Sequence, residues 1–483
     1  MESDEKIQNE PEQKLNLNKD NQRRRQEILS GNTWKTTFSV CGPMALFQLI
    51  NQLFRLFDLA ITAQIDATAV SAVSFFSQIS NTVNSIGVGF AMGVGILVAS
   101  YYGAGNYKKV KQLVNSSFCL ALICALVFSV VLINGSPIVL SLANTPDDLI
   151  NIGLSYYKCE MLGLAFAYFN SVFIAIEKAR GNGKVILKLN LLLASTKVFL
   201  SVLFIIVLHG SVVMVSCATL IANLLVTLCG IYRLRDKNDV FGFSFSYISL
   251  RLKTIGAIFR ISLPVIAEKL AFSSGKVMVN AIGVDYGTEV VGALGVSNCI
   301  SAITTTPTTA IGDGAAAMIS QNLGNENKTR ALVFFRTVLY INLIFGTLGL
   351  LITIGFLNPI ILAFSSGDPA FALNIKTVFT LEMYSNVFLA LNAAVMGLLY
   401  GFGYTKLSFL INFSRLFVFR LPVLLLFKYY TDISGYSVMG LVMMISNGLT
   451  GIVATIIASI VLHHVFGKGW LKVLFTAKAS ATA

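Results

Sequence analysis

Charge is what this chain has least of. Only 12% of its 483 residues are Asp, Glu, Lys or Arg, against roughly a quarter in soluble domains. Histidine occurs three times (His209, His463, His464) and tryptophan twice (Trp34, Trp470). Three histidines without an HExxH run do not build a metal site, so no metal and no cofactor is expected. The seven cysteines, Cys41, Cys119, Cys124, Cys159, Cys217, Cys229 and Cys299, form no CxxC pair. They all fall in apolar runs and read as small hydrophobes. The one Gly-Lys pair inside an apolar run, Gly275-Lys276, is followed by Val277 and lacks phosphate-loop spacing, which leaves an ATP-driven pump unsupported. The formal charge is +13, a balance that can suit nucleic acid. Here the basic residues flank apolar runs instead, and no nucleic-acid partner is expected.

What is present is apolar length. Hydrophobic residues make up 55% of the chain and the mean hydropathy is +0.74. A surface this greasy needs the lipid bilayer as solvent. Taking ~20 residues per crossing helix, the sequence predicts twelve spans: 36–58, 69–100, 113–134, 151–176, 186–208, 211–233, 257–283, 291–321, 331–354, 374–400, 406–428 and 436–464. Residues 1–33 read as a disordered cytoplasmic tail, since they are polar and carry no apolar signal core. A linker over 236–256 and a tail over 466–483 complete the division, with lobes over 34–235 and 257–465.

Alternate loops are basic. Arg23, Arg24, Arg25 and Lys35 precede the first span; Lys108, Lys109 and Lys111, then Lys178, Arg180 and Lys184, then Arg233, Arg235, Lys237, Arg251 and Lys253 follow. The other loops carry Asp66, Asp147, Asp148, Asp285, Glu289 and Asp368, with Lys428 the main exception. Lysine and arginine gather on the cytoplasmic side of membranes. Both termini are therefore expected to be cytoplasmic, with Trp34 and Trp470 as interfacial anchors.

The halves repeat. Pro43 and Pro264 each sit early in a first helix, an offset of 221 residues (264 − 43). The same offset carries Ala69-Val70-Ser71-Ala72-Val73 onto Val290-Val291-Gly292-Ala293-Leu294, and Tyr102-Gly103-Ala104-Gly105-Asn106 onto Leu323-Gly324-Asn325-Glu326-Asn327. With one residue of slippage, Arg180-Gly181-Asn182-Gly183 meets Tyr400-Gly401-Phe402-Gly403. Six spans per repeat give both halves the same orientation, related by an axis along the membrane normal. Two such bundles enclose a central cavity able to open to either side. The expected class is an all-α integral membrane protein of twelve transmembrane helices in two six-helix lobes.

Those segments, with Gly42-Pro43, Asp58, the glycines at 87, 89, 93 and 95, Leu263-Pro264, Glu268, Gln321-Asn322-Leu323-Gly324 and Arg420-Leu421-Pro422, occur in an order that resembles the multidrug and toxic compound extrusion (MATE) family. That family lies within the multidrug/oligosaccharidyl-lipid/polysaccharide flippase superfamily. The resemblance runs from about residue 36 to 465. It implies a secondary transporter, a monomer in the cell membrane, that exports small organic or drug-like molecules by antiport with a cation and alternating access. It does not imply an enzyme.

Candidate residues follow from charge placed among apolar runs. Gln48, Asn51, Gln52, Arg55 and Asp58 recur at three- and four-residue steps, which puts them on one face of the first helix. A polar stripe at that depth must face protein or water. The resemblance makes Asp58 a cation or proton site. Glu268 matches the family's acidic residue of the second lobe, with Lys276 and Asn280 further along on one face. Lys197 stands where the family usually has an asparagine, and a titratable pair with Asp58 is one reading of it. Sodium-binding members usually add an aspartate in the tenth helix; that place holds Leu389, with Asn386, Asn392 and Glu382 nearby, so H+ is favoured over Na+ as coupling ion. Pro43 and Pro264 can bend their helices. Glu160, Asp313 and Glu382 remain unranked cavity candidates. A flippase for a lipid-linked saccharide is the alternative; Arg55, Lys197, Lys276 and Arg420 could line its basic cavity.

Overall fold

The computed structural model describes residues 17–62, 67–138, 147–365 and 368–476; along some of these helices, residues 55–62 and 67–75 among them, only the backbone is described. Every regular element among them is helical. The order is α1 (Lys19–Ser30), α2 (Thr33–Thr62), α3 (Ala67–Gly103), α4 (Tyr107–Asn134), α5 (Asp147–Ala179), α6 (Gly183–Ser201) running into a π-helical turn at Val202–Val207, and α7 (Val212–Arg233). Then come α8 (Leu252–Val284), α9 (Thr288–Gly324), α10 (Lys328–Gly355), α11 (Leu357–Phe364), α12 (Pro369–Glu382) and α13 (Asn386–Gly401). The chain finishes with α14 (Thr405–Ser414), a second π segment at Arg415–Arg420, α15 (Leu421–Tyr430), α16 (Gly435–Phe466) and α17 (Trp470–Thr476).

Nine of the described helical runs, counting Pro369–Gly401 and Thr405–Tyr430 as single spans, are long and apolar enough to cross a bilayer. A tenth is α5, bent by 44° between Gly153–Leu162 and Leu164–Ala179. The last two crossings of the twelve-helix, two-lobe fold are α2 and α8. Both run unbroken through their prolines, Pro43 and Pro264.

Helix ends report the repeat. The starts and ends of α9 and α10 lie 221 residues after those of α3 and α4 (288 − 67, 355 − 134). From the fourth span on the offset is 222: Gly181 and Gly403 are the left-handed glycines of the two turns (φ 77° and 75°), and α6 and α14 begin at Gly183 and Thr405. The sequence match of Gly181 to Gly401 is thus corrected by two residues. Two glycines spaced alike look equivalent in sequence, but only one of each pair has a positive φ, which a side chain resists.

The lobes meet where α3 crosses α8 and α9, and where α2 packs on α9. Glycine makes the approach possible. A β-carbon on Gly89 or Gly93 would collide with the backbone of Ile266 or Ser262. At the basic end, one on Gly103 would strike the carbonyl of Gln321, and one on Gly324 the carbonyl of Ser100. These two contacts are images of each other under the 221-residue offset. Farther from the basic end along α8, Lys276 and Asn280 are exposed.

The sequence places a disordered tail over 1–33, and α1 contradicts that for residues 19–30. The helix buries only Asn21 and Ile28, too little to register as an apolar pattern. It spans both lobes. Arg25 donates to the carbonyls of Tyr102 (3.0 Å) and Gly103 (2.8 Å), while Arg330 of α10 donates to those of Ile28 (3.0 Å) and Gly31. The expected linker over 236–256 is fastened under the N-terminal lobe: Lys111 donates to the carbonyls of Lys237 and Asp239, and Asn115 accepts from the Ser244 amide. Past it, α8 starts at Leu252, five residues before the expected span. In the expected C-terminal tail, α17 is held by Arg336 Nη1 on the carbonyls of Leu474 and Phe475. Lys428, the exception among the acidic loops, pairs with Asp285.

Candidate functional site

A cavity of about 220 Å³ lies between the lobes, lined by Met92 of α3, Ser171 and Lys178 of α5, Lys269 of α8 and Asp313 of α9. Lys178 and Asp313 face each other across it at 3.9 Å, each 27% exposed. Lys269 reaches back to Glu268 Oε1 (3.5 Å). Glu268 itself is 1% exposed. Its Oε1 also accepts from Tyr400 Oη (2.6 Å) and Asn412 Nδ2 (2.8 Å), and its Oε2 has no partner among the described residues. A buried carboxylate thus sits on two neutral donors inside the C-terminal lobe and touches the interlobe space through one lysine.

Each lobe also has a polar core of its own. In the N-terminal lobe a cavity of about 290 Å³ is lined by Ser80, Asn84, Glu160, Asn170, Asn190 and Asn223 among others. Under the structural offsets of 221 in α3 and α9 and 222 beyond, Ser80, Glu160, Asn170 and Asn190 correspond to Ser301, Glu382, Asn392 and Asn412. Both glutamates sit at an interruption of the fourth span. Glu160 is one turn before the bend at Gly163, and Glu382 immediately precedes the 3₁₀ turn Met383–Ser385.

The C-terminal core differs in what fills it. Glu382 accepts from Ser297 Oγ. Arg415 and Arg420 bracket a π segment, whose wider turn brings residues five apart onto one side. Both guanidinium groups donate to Asn447 Oδ1: Arg415 through Nε (3.1 Å) and Nη2 (2.8 Å), Arg420 through Nη2 (2.7 Å). Arg420 Nε also donates to Ser446 Oγ (3.0 Å). At the matching positions of α6 the N-terminal lobe has Leu193 and Val198.

The expected residues divide as follows. Glu268 is the centre of the interlobe cluster. Gln48 and Asn51 are half-buried on α2, while the side chains of Gln52, Arg55 and Asp58 lie outside the described residues, as does the whole of Asp66. Lys197 is half-buried on α6, seven residues from Asn190 and so on the same face. Lys276 is exposed, its Nζ 4.8 Å from the centre of the Phe272 ring, and Asn280 is exposed beside the cleft. Asn386, expected to line the cavity, is instead fully buried at the start of α13, and neither amide atom has a partner among the described residues. The turn that interrupts the fourth span carries it inward. Sequence reasoning missed Tyr400, Asn412, Lys178 and Asn447 as site residues, and named Arg420 without Arg415. Two arginines five residues apart inside one apolar span were the available signal for that pair.

Comparison with known proteins agrees with this architecture. The MatE family profile matches residues 43–203 and 264–426, one stretch in each lobe. The probable multidrug resistance protein NorM of Thermotoga maritima is 22% identical over 387 residues, 79% of this chain and 83% of that one. The probable multidrug resistance protein YoeA of Bacillus subtilis is 21% identical over 331 residues, covering 65% and 69%. An outward-facing multidrug resistance MATE transporter of the MOP superfamily superposes with a TM-score of 0.85 at 17% identity, over 92% of this chain and 98% of its own. The Vibrio cholerae transporter VcmN superposes at 0.83 with 19% identity, over 89% and 97%.

Proposed function

Because the chain belongs to the MatE family, we propose that it is a secondary active transporter that exports small organic, drug-like molecules in exchange for a cation, H+ in preference to Na+. It acts as a monomer in the cell membrane with both termini in the cytoplasm. The observation that carries this reading is Glu268, buried on Tyr400 and Asn412 and joined to the interlobe cavity through Lys269. Protonating Glu268 removes the partner of Lys269. The freed ammonium is drawn to Asp313, which Lys178 of the other lobe already contacts. Proton binding in one lobe thereby bears on the contact between lobes, which is the link alternating access requires. Asp58 supplies a second carboxylate on α2. The relatives named as multidrug resistance proteins support the substrate class.

Reconstituted protein under an imposed proton gradient, then a sodium gradient, tests this with a panel of fluorescent compounds. The proton gradient is expected to drive movement, and Glu268→Gln to bring it to background. Movement driven by sodium alone removes the proton from the proposal, and movement of none of the compounds under either gradient removes the exporter reading. A flippase for a lipid-linked saccharide is the second reading, supported by the paired arginines of the C-terminal core.

A further inference from the structure

The C-terminal core holds two guanidinium groups against one carboxylate, Glu382, and among the described residues neither Arg415 nor Arg420 forms a salt bridge. Their shared acceptor, Asn447 Oδ1, is neutral. Cations at membrane depth are kept only where an anion, water or a polar wall answers them. The two arginines are not equivalent. Arg420 is 2% exposed and fixed on Ser446 and Asn447, whereas Arg415 is half-buried and its guanidinium lies 5.3 Å from the centre of the Phe272 ring. Lys276 approaches that same ring.

The face of α8 says where these cations point. Ser262, Ile266, Lys269, Ser273, Lys276 and Asn280 recur at alternating steps of four and three, a single stripe. At the basic end this stripe is pressed onto α3 through Gly93 and Gly89, and Ser273 still meets Thr82 of α3 at 2.8 Å. One turn further, Lys276 is exposed. Phe272, half-buried between Lys276 and Arg415, forms the wall there. The N-terminal lobe, with Leu193 and Val198 in place of the arginines, has no counterpart.

We propose that Arg415, Lys276 and Phe272 form a subsite for the anionic group, a carboxylate or phosphate, of a compound with an aromatic or otherwise apolar body. Arg420 is a positioning residue that fixes Asn447, and through it Arg415. This rests on the transporter reading above and sets its substrate class: amphipathic anions rather than organic cations. A planar guanidinium takes a carboxylate or phosphate by paired hydrogen bonds, and the ring beside it offers a stacking surface to the apolar part.

The test is equilibrium binding, with no gradient. The purified protein in phosphatidylcholine nanodiscs is titrated against fluorescein, an anionic xanthene, and rhodamine 6G, a cationic one, by fluorescence anisotropy. Fluorescein is expected to bind at least about tenfold more tightly. Arg415→Gln and Lys276→Gln are each expected to weaken fluorescein roughly tenfold to a hundredfold, the range of one lost charge-assisted hydrogen bond, and to leave rhodamine 6G unchanged or tighter. Lys276 is exposed, so its variant remains informative if the arginine variant misfolds. Tighter binding of rhodamine 6G to the unaltered protein, or fluorescein binding unchanged by Lys276→Gln, overturns the proposal. Phosphatidylglycerol in the disc that displaces fluorescein assigns the subsite to a lipid headgroup phosphate; no displacement assigns it to soluble anions, and either result retains the anion site. Binding as expected without gradient-driven movement sinks the transporter reading alone, while movement of cations without anion binding sinks this inference alone.

Discussion

At the interruption of its fourth span the N-terminal lobe sets Glu160 beside a cavity rich in amides, and the C-terminal lobe sets Glu382 beside two arginines. Serine, glutamate and two asparagines recur in both cores at matching positions. What separates the cores is a handful of substitutions on this shared skeleton: Leu193 against Arg415, Val198 against Arg420, Phe47 against Glu268 and Lys178 against Tyr400. Duplicated architecture therefore does not mean duplicated chemistry. The fold repeats because helix packing is fixed by small residues and apolar faces, while charge is free to specialise at positions that face inward.

Five substitutions press on this comparison. The largest effect is expected from Glu382→Gln. It removes the one carboxylate that lies near Arg415 and Arg420 among the described residues and should destabilise the protein by about 3 kcal/mol or more, the scale of an uncompensated buried charge. Glu160→Gln, in a core with Leu193 and Val198 in place of the arginines, should cost less. Thermal unfolding in detergent compares the two, and equal losses would remove the distinction drawn between the lobes. Next come Gly103→Ala and Gly324→Ala, each forcing a methyl against a carbonyl of the opposite helix. Overpacking of this kind costs roughly 1–3 kcal/mol, and the pseudo-symmetry of the crossing predicts matched shifts in unfolding midpoint. A mismatch beyond experimental error would show that the basic end is not shared evenly. The smallest effect belongs to Lys178→Met, which breaks a half-exposed contact with Asp313. Its stability cost should be about 1 kcal/mol or less, but transport should slow because the contact joins the lobes; an unchanged rate makes that contact incidental.

Much of this was legible in the sequence. Long apolar runs set the twelve crossings, and basic loops set their alternation. Glu268 stood out as an acid within a span. The rest depended on geometry that local pattern does not carry. Tyr400 meets Glu268 across 132 residues of chain. Arg415 and Arg420 converge because a π segment replaces an α turn, and nothing in Arg415-Leu416-Phe417-Val418-Phe419-Arg420 announces that. The equivalence of Glu160 and Glu382 appears only after the left-handed glycines have fixed the register of the second half of each repeat. The α1 helix is too short and too polar to be separated from a solvated tail by composition.

That helix is held in a particular way. Arg25 and Arg330 grip carbonyl oxygens of Tyr102, Gly103, Ile28 and Gly31, and a carbonyl is something every residue owns. The two arginines read only those oxygens, but three gripped positions are constrained for other reasons: Tyr102 donates its hydroxyl to the Asn21 carbonyl of α1, Ile28 is packed in the core, and a β-carbon on Gly31 would strike the Glu27 carbonyl. In a saturation mutagenesis of this surface, positions 25 and 330 should join 28, 31, 102 and 103 as intolerant sites, the arginines for the oxygens they hold and the others for the space or hydroxyl they supply.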